Sequence, residues 1–399
     1  MHNEVLIYAD IIVKHGSKWK VYEVKSSTSI SETNINDISV QYYVMSNAGI
    51  DIKDISLIYI NNEYVRKGQL DINQFFNTEP LLDEALDNQV WVSEEVERLK
   101  GIVAQNTIPN IDIGTHCNAP YSCSSIGHCW KHIPENSVFD IRRMHQTKKF
   151  DLYKEGIISL NDIPDNLALP ASQRLQIDSY KSRETTIDKV AIKGFLDTFE
   201  YPLYFMDFES FQPAIPLYDN SKPYQQIPFQ YSLHFQKTKD SKLEHKEFLA
   251  EAGSDPRIPF IEQLLEDTKS PGQIVVFNKA FEIMILHAIA KDFPEYNDQI
   301  EELVNRVIDL MIPFQKKWYY TPSMEGSYSI KKVLPALVPE LSYEGLQIAD
   351  GGTASVSFEQ LIEETDMFKL EETRNNLLEY CKLDTLAMVK ILNNLAELG

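Results

Sequence analysis

The apolar run Tyr204-Phe205-Met206-Asp207-Phe208-Glu209 constrains this chain more than any other stretch, because it carries two carboxylates two residues apart into what reads as a buried strand. Side chains at i and i+2 of a strand share a face, so Asp207 and Glu209 project together. Neighbouring acids repel unless something positive lies between them, and a divalent cation such as Mg²⁺ or Mn²⁺ suits their oxygen donors. A strand ending in a polar turn fits the same letters, so the reading depends on what lies downstream.

Two later stretches bear on it. Ile274-Val275-Val276-Phe277 reads as a buried strand that runs into Asn278-Lys279-Ala280-Phe281-Glu282 and a helical continuation through Leu286. Near the C-terminus, Tyr380 and Asp384 lie in a helical pattern continuing through Leu386, Val389 and Ile391. At i and i+4 they share one helix face, where a phenol and a carboxylate can hold a water beside a metal. Tyr380 also fits a core tyrosine, and Asn278 a helix cap. From Tyr201 onward strands alternate with helices, which predicts a mixed sheet flanked by helices. Strands are expected over 229–236, 244–250 and 307–310, and helices over 256–267, 279–293 and 327–337.

The N-terminal third reads differently. A strand over 5–13 carries Asp10, a polar turn follows at 15–18, and a second strand over 19–25 completes a hairpin. The period of two puts Glu23 and Lys25 on one face, with Asp10 opposite on the neighbouring strand. Asp10 and Glu23 are thereby candidate Mg²⁺ ligands, with Lys25 orienting or activating a water; a cross-strand salt bridge is the competing reading. A helix over 35–48 with Gln41, Tyr42 and Tyr43, and a strand over 55–60, precede Cys117, Cys123 and Cys129. Closely spaced cysteines in a cytosolic chain suggest a metal or cluster site more than a disulfide. Residues 134–200 are polar and helical, interrupted at Pro164 and Pro170, and read as a connector.

A length of 399 residues allows two or three domains, and 43% apolar with 24% charged residues is ordinary for a globular protein. No apolar run approaches bilayer length and no signal-peptide pattern opens the chain, so no membrane partner and a cytoplasmic location are expected. A net charge of -21 argues against a simple electrostatic nucleic-acid binder. Acids that face cations in use count toward that total, so a nuclease remains compatible with it. The segment 142–193, with ten Lys or Arg against seven Asp or Glu, is where nucleic-acid contacts are expected first.

Asp-x-Glu on a strand, Asn-x-x-Phe-acid, and Tyr-x-x-x-Asp on a last helix resemble the three motifs of the ribonuclease-H-like 3′→5′ exonucleases of the tyrosine (DEDDy) branch. The runs at 224–234, 326–335 and 380–389 resemble the domain-of-unknown-function family 2779, an exonuclease-like domain often joined to a RecB-like nuclease. The resemblance covers residues 200–399. It implies that Asp207 bridges two Mg or Mn ions, Glu209 and Asp384 ligate one, and Glu282 supports the other directly or through water. Tyr380 would orient the attacking water and Asn278 would steady the second-motif loop. Glu282 departs from the Asp that most of the superfamily has there, and Asp309 is a reserve ligand or a structural acid.

The order acid, Glu-x-Lys, helix with Gln, then cysteines resembles the RecB-like branch of PD-(D/E)XK nucleases, which have a restriction-endonuclease-like fold. In relatives with an iron-sulfur cluster, one upstream cysteine joins three downstream ones around [4Fe-4S]. Here that upstream cysteine is absent, which implies a truncated or remnant domain. His116, His128 or Cys381 would complete the site, and three Cys with one His would also suit Zn. In the helix, Met45 stands where relatives usually have Tyr.

The expected organisation is α/β throughout: a RecB-like PD-(D/E)XK domain over 1–133, a helical connector over 134–200 and an exonuclease-like domain over 201–399. The expected function is metal-dependent hydrolysis of phosphodiester bonds in DNA or RNA, as a 3′-5′ exonuclease. The alternatives are a non-catalytic nucleic-acid-binding scaffold built from decayed nuclease domains, or an oligonucleotide phosphodiesterase.

Overall fold

The computed structural model describes residues 1–398. Internal contacts divide the chain into two compact units, Met1–Cys129 with Pro213–Gln225, and Trp130–Gln212 with the remainder from Gln226.

The first unit holds a four-stranded sheet in the order β1-β2-β3-β4, formed by Ile11–His15, Lys18–Lys25, Ile52–Ile60 and Phe76–Pro80. β1 and β2 are an antiparallel hairpin turning at Gly16, whose φ of +66° lies in the left-handed region. β1 begins six residues later than the sequence suggests. The Asp10 carboxylate accepts the Val24 N–H at 2.8 Å, taking a donor that a longer ladder would need. β2 runs parallel to β3. The connection is α1 (Glu32–Asn47), whose Ile38 and Met45 pack on Val21, Ile55 and Leu57. Ser31 and Asn34 close its N-terminus as a reciprocal capping pair. The stretch 213–225, which lies within the range expected for the C-terminal domain, packs into this unit: Ala214 and Tyr224 join Ile60, Tyr64 and Phe75. Arg66 donates to the Pro216 carbonyl at 2.8 Å and fixes it there.

The second unit is built on a five-stranded sheet ordered β9-β8-β5-β6-β7, where β5 is Leu203–Phe211, β6 Ile227–Gln236, β7 Glu244–Leu249, β8 Gln273–Val276 and β9 Val307–Asp309. β5, β6 and β7 form an antiparallel meander. β8 pairs parallel to β5, and β9 parallel to β8, so β5 is the central strand. Both of its faces are covered, which explains the continuous apolar stretch from Leu203 to Met206. Tyr204, Met206 and Phe208 pack with Phe260 and Leu264 of α2 (Arg257–Asp267) and with Ile285 and Leu286 of α3 (Lys279–Asp292). Leu203 and Phe205, on the odd-numbered face, pack with Ala387, Met388 and Ile391 of the last helix. The smaller helices α4 (Ile330–Leu337) and α5 (Gly351–Gln360) precede that last helix, α6 (Met367–Leu398).

Residues 134–200 fall in this second unit, where a separate connector was expected. The prolines interrupt helices, yet Val138, Ile141, Leu152, Leu160, Ile163 and Ile177 are fully or almost fully buried in one small core. A mixed α/β fold is therefore borne out. No helix among the described residues is long and apolar enough to cross a membrane.

Candidate metal centre

Asp207 and Glu209 project from the odd-numbered face of β5, and α6 lies across that same face and brings Asp384 to them. The ligand oxygens of these three side chains all lie within 4.8 Å of one another. Among the described residues no other group of three or more Asp, Glu, His or Cys side chains is gathered this closely. Burial pushes the Glu209 carboxyl up to about 8, and the Asp384 charge adds to the effect. Asp384 is pushed up to about 6, again by burial. Asp207 is held well above the carboxylate range by burial, then by Asp384, Glu209 and Glu282. A cation between them would remove the repulsion, and a set of carboxylate oxygens suits hard ions such as Mg²⁺ or Mn²⁺.

Glu282 sits in the first turn of α3, and burial, with Asp309 adding, raises its carboxyl to about 8. Its buried Oε2 has no hydrogen-bond partner among the described residues. A buried acceptor left open calls for a partner, and a cation fits here. Tyr380 is buried one turn before Asp384 on α6.

Three neighbours were not singled out from the sequence as site residues. Tyr343 donates its hydroxyl to Asp384 Oδ1 at 2.5 Å. Lys331 Nζ lies 5.8 Å from the Tyr343 ring centroid and 5.7 Å from that of Tyr380, and its charge opposes the rise of both Glu209 and Asp384. At Gly351 a Cβ would stand 3.3 Å from Glu209 Oε2, so a bare backbone leaves the carboxylate its room. Tyr343→Phe should weaken Mn²⁺ binding about 10-fold at neutral pH, because a hydrogen bond to a charged group is worth roughly 1.5–3 kcal/mol. Calorimetric titration would show it, and an unchanged affinity would remove Tyr343 from the site.

The second motif works differently from its expected role. Asn278 has φ +80° and an exposed side chain that makes no capping bond. The cap is supplied by Asp309, whose carboxylate accepts the N–H groups of Asn278 at 3.0 Å, Lys279 at 3.3 Å and Met311 at 2.9 Å. Asp309 is thus committed to the backbone and the reserve-ligand reading is set aside. Asn is the kind of residue that tolerates this left-handed turn, so Asn278 shapes the loop through its backbone.

In the first unit Lys25 Nζ donates to Glu23 Oε1 at 2.5 Å and to Asp37 Oδ2 at 2.7 Å, while Gln41 donates to Glu23 Oε2 at 2.7 Å. Burial disfavours the Lys25 charge, but the bonds to Asp37 and Glu23 outweigh it and raise its pKa. Glu23, Lys25, Asp37 and Gln41 therefore form one hydrogen-bonded cluster, of which Asp37 was not foreseen. Asp10 is exposed and bonded to the Val24 backbone. Cys117 is buried and accepts the Gly114 N–H, whereas Cys123 and Cys129 are exposed. Cys381, a sequence candidate for completing the cysteine set, instead lies beside Asp207, its Sγ 3.9 Å from Oδ2.

Residues 204–329 match the model of the family described as Domain of unknown function (DUF2779), which bears out the family named from the sequence. An uncharacterized protein, UU173, of Ureaplasma parvum serovar 3 is 27% identical over 240 residues, covering 53% of this chain and 34% of that protein. The uncharacterized protein MG366 of Mycoplasma genitalium is 26% identical over 208 residues, 47% of this chain and 31% of its own length. Its homolog in Mycoplasma pneumoniae is 26% identical over 210 residues, 48% and 32% of the respective lengths. The chain thus spans about a third of the length of the curated relatives it matches. No solved structure matches.

Proposed function

We propose that the second unit is a metal-dependent nuclease that hydrolyses phosphodiester bonds of DNA or RNA from the 3′ end, on a ribonuclease-H-like framework. The observation that carries this reading is the convergence of Asp207, Glu209 and Asp384 within 4.8 Å on the face of a central strand. A mixed five-stranded sheet flanked by helices supports the framework. Asp207, Glu209 and Asp384 would hold Mg²⁺ or Mn²⁺, and Glu282 would support a second ion. Such ions, when bound, supply polarisation of a phosphoryl oxygen and acidification of a water.

The chain's own residues divide the remaining work. Burial, then the Asp384 and Glu209 charges, hold the Tyr380 phenol protonated at any physiological pH. It serves as a hydrogen-bonding post that orients the attacking water, and it is no base. Tyr343 fixes Asp384, and Lys331 limits the repulsion among the carboxylates. The Glu23–Lys25 pair and the cysteine segment make the first unit accessory in this reading. Its acids would hold Mg²⁺ only after Lys25 gives up Glu23, and its thiols are soft donors for Zn or an iron-sulfur cluster.

The test is cleavage of 5′-labelled and 3′-labelled single strands of DNA and RNA in Mn²⁺ and in EDTA. In Mn²⁺, 5′-labelled strands should shorten stepwise and 3′-labelled strands should release labelled mononucleotide. Glu23→Ala should leave the pattern unchanged. Absence of cleavage of every strand in Mn²⁺ would end the nuclease reading, and cleavage limited to the shortest strands would narrow it to an oligonucleotide phosphodiesterase.

A further inference from the structure

Away from the carboxylates, the second unit contains a cavity of about 530 Å³ whose walls include Arg142, Arg143, Lys317, Asn278, Gln315 and Tyr328. Three cations meet there in a chain whose net charge is -21. Their partners carry no negative charge. Lys317 Nζ donates to the Gly326 carbonyl at 3.2 Å and lies 4.6 Å and 5.6 Å from the ring centroids of Tyr320 and Tyr328. Arg143 donates to the Tyr328 hydroxyl and lies 5.5 Å from that ring's centroid. Among the described residues, no carboxylate forms an ion pair with Arg142, Arg143 or Lys317.

The crowding is costly. Burial, then the charges of Arg143 and Arg142, push Lys317 down to about 8. The backbone also holds these residues against its preference. Arg143 at φ +58° and Lys317 at φ +61° are both left-handed, a conformation that costs a non-glycine residue about 1–3 kcal/mol. Gln176 fixes the Arg142 segment by accepting its N–H at 3.1 Å, and Gly326 opposite has no room for a side chain, since a Cβ would collide with Gln176 Oε1. Unpaired cations assembled at such cost are explained by an anion that completes the set. Two guanidinium forks and an ammonium suit tetrahedral oxyanions, and the volume admits a nucleotide-sized group.

The cavity also adjoins the metal centre along the chain. Asn278 opens the turn into the helix that carries Glu282. Ile330, another wall residue, precedes Lys331, which stands at the carboxylates.

We propose that this cavity binds a phosphate group, either of a nucleic-acid strand running to the carboxylates or of a free nucleotide. The strand as source rests on the nuclease reading; the phosphate site itself does not. The experiment measures binding of a fluorescent single-stranded oligonucleotide to the full chain in EDTA across a KCl series. It compares wild type, Arg142→Gln/Arg143→Gln, and the same pair with Lys317→Gln. In parallel, the melting temperature is followed with inorganic phosphate, or with a nucleoside monophosphate, against chloride at equal ionic strength.

For the strand, affinity should fall about 10-fold in the variants. The slope of log affinity against log salt should shrink by about 0.7 for each phosphate that a variant no longer neutralises. Phosphate-dependent stabilisation that disappears in the variants while strand binding is unaltered would keep the phosphate site and give it to a free phosphate or nucleotide. Unchanged strand affinity and slope in the double variant, whose substituted arginines are exposed and whose fold should survive, together with no phosphate-dependent stabilisation of wild type, would overturn the proposal. EDTA removes cleavage from the readout, so the two readings can fail separately. An inactive enzyme whose strand binding still depends on the arginines loses the nuclease reading alone, and an active one whose arginines leave strand binding unchanged and which phosphate does not stabilise loses the cavity alone.

Discussion

Asp207→Asn should abolish metal-dependent cleavage and at the same time raise the melting temperature of the metal-free protein. The two effects have one origin. Asp207 shares a 4.8 Å neighbourhood with Glu209 and Asp384, and their charges, together with that of Glu282, oppose its ionisation. Replacing it with an isosteric amide removes the cost of keeping this carboxyl either protonated, when the unfolded chain would ionise it, or charged among like charges, which relieves the folded state when no cation is present. The same change removes one of the three gathered carboxylates that would hold a metal ion. Charge stabilisation by bound metal contributes several kcal/mol to a phosphoryl transition state, so a loss of about 10³-fold or more in rate is expected at about 1.36 kcal/mol per decade. Each kcal/mol of relief should appear as about 2–4 °C in melting temperature. Melting in EDTA and cleavage in Mn²⁺, on the same preparation, read both arms. A variant less stable than wild type in EDTA would show that Asp207 is held by contacts that favour its charge, contrary to a site awaiting a cation. A variant that still cleaves would move the chemistry elsewhere.

Much of this centre was legible because its spacing is local. Asp207 and Glu209 share a face by the period of two, and Tyr380 and Asp384 by the turn of a helix. Both relations are fixed by backbone geometry before any tertiary contact forms. Tyr343, Lys331 and Gly351 were not legible as site residues, because they come from a segment of short helices and loops without a sustained period. Their role arises only where that segment meets α6 and β5. The capping function passed from Asn278 to Asp309 for a similar reason: the two are 31 residues apart and become neighbours through the parallel pairing of β8 and β9. The Glu23–Lys25 relation was visible in the alternation of β2, but the commitment of Lys25 to Asp37 depends on α1 docking beside the strand. Residues 213–225 were assigned by sequence order to the C-terminal domain, and their few apolar side chains gave no sign that they complete the core of the other unit.

Metal-free protein should lose stability as the pH rises from about 5 to about 8, and Mg²⁺ or Mn²⁺ should restore it increasingly over the same interval. In the folded state Glu209 and Glu282 titrate near 8 and Asp384 near 6, all above the values near 4 that these acids have in an unfolded chain. The folded chain therefore holds protons that the unfolded chain has released, and stability falls with pH wherever that is true. Below about pH 4 the acids are protonated in both states and contribute nothing; above about pH 8 all are ionised and the penalty is complete. A tenfold change in proton affinity corresponds to about 1.36 kcal/mol, so an acid moved from near 4 to near 8 should by itself account for several kcal/mol at the alkaline end. His234 acts in the opposite sense at the acid end. Burial, with His245 and Lys382 nearby, lowers it to about 4, so its contribution is lost as the pH drops from about 6.5 toward 4. Three acids act against one imidazole, so His234 softens the fall between about pH 4 and 6.5 without reversing it, and a profile that declines through the whole interval is the expected result in EDTA. Cations bind the ionised carboxylates and displace their protons, so the metal-dependent rise in melting temperature should grow with pH. Melting profiles across this range, in EDTA and in saturating Mg²⁺, separate the cases. A flat or rising profile in EDTA would mean that these acids are not crowded as the structure has them. A falling profile that Mg²⁺ leaves unaltered would mean that they are crowded for some purpose other than holding a cation.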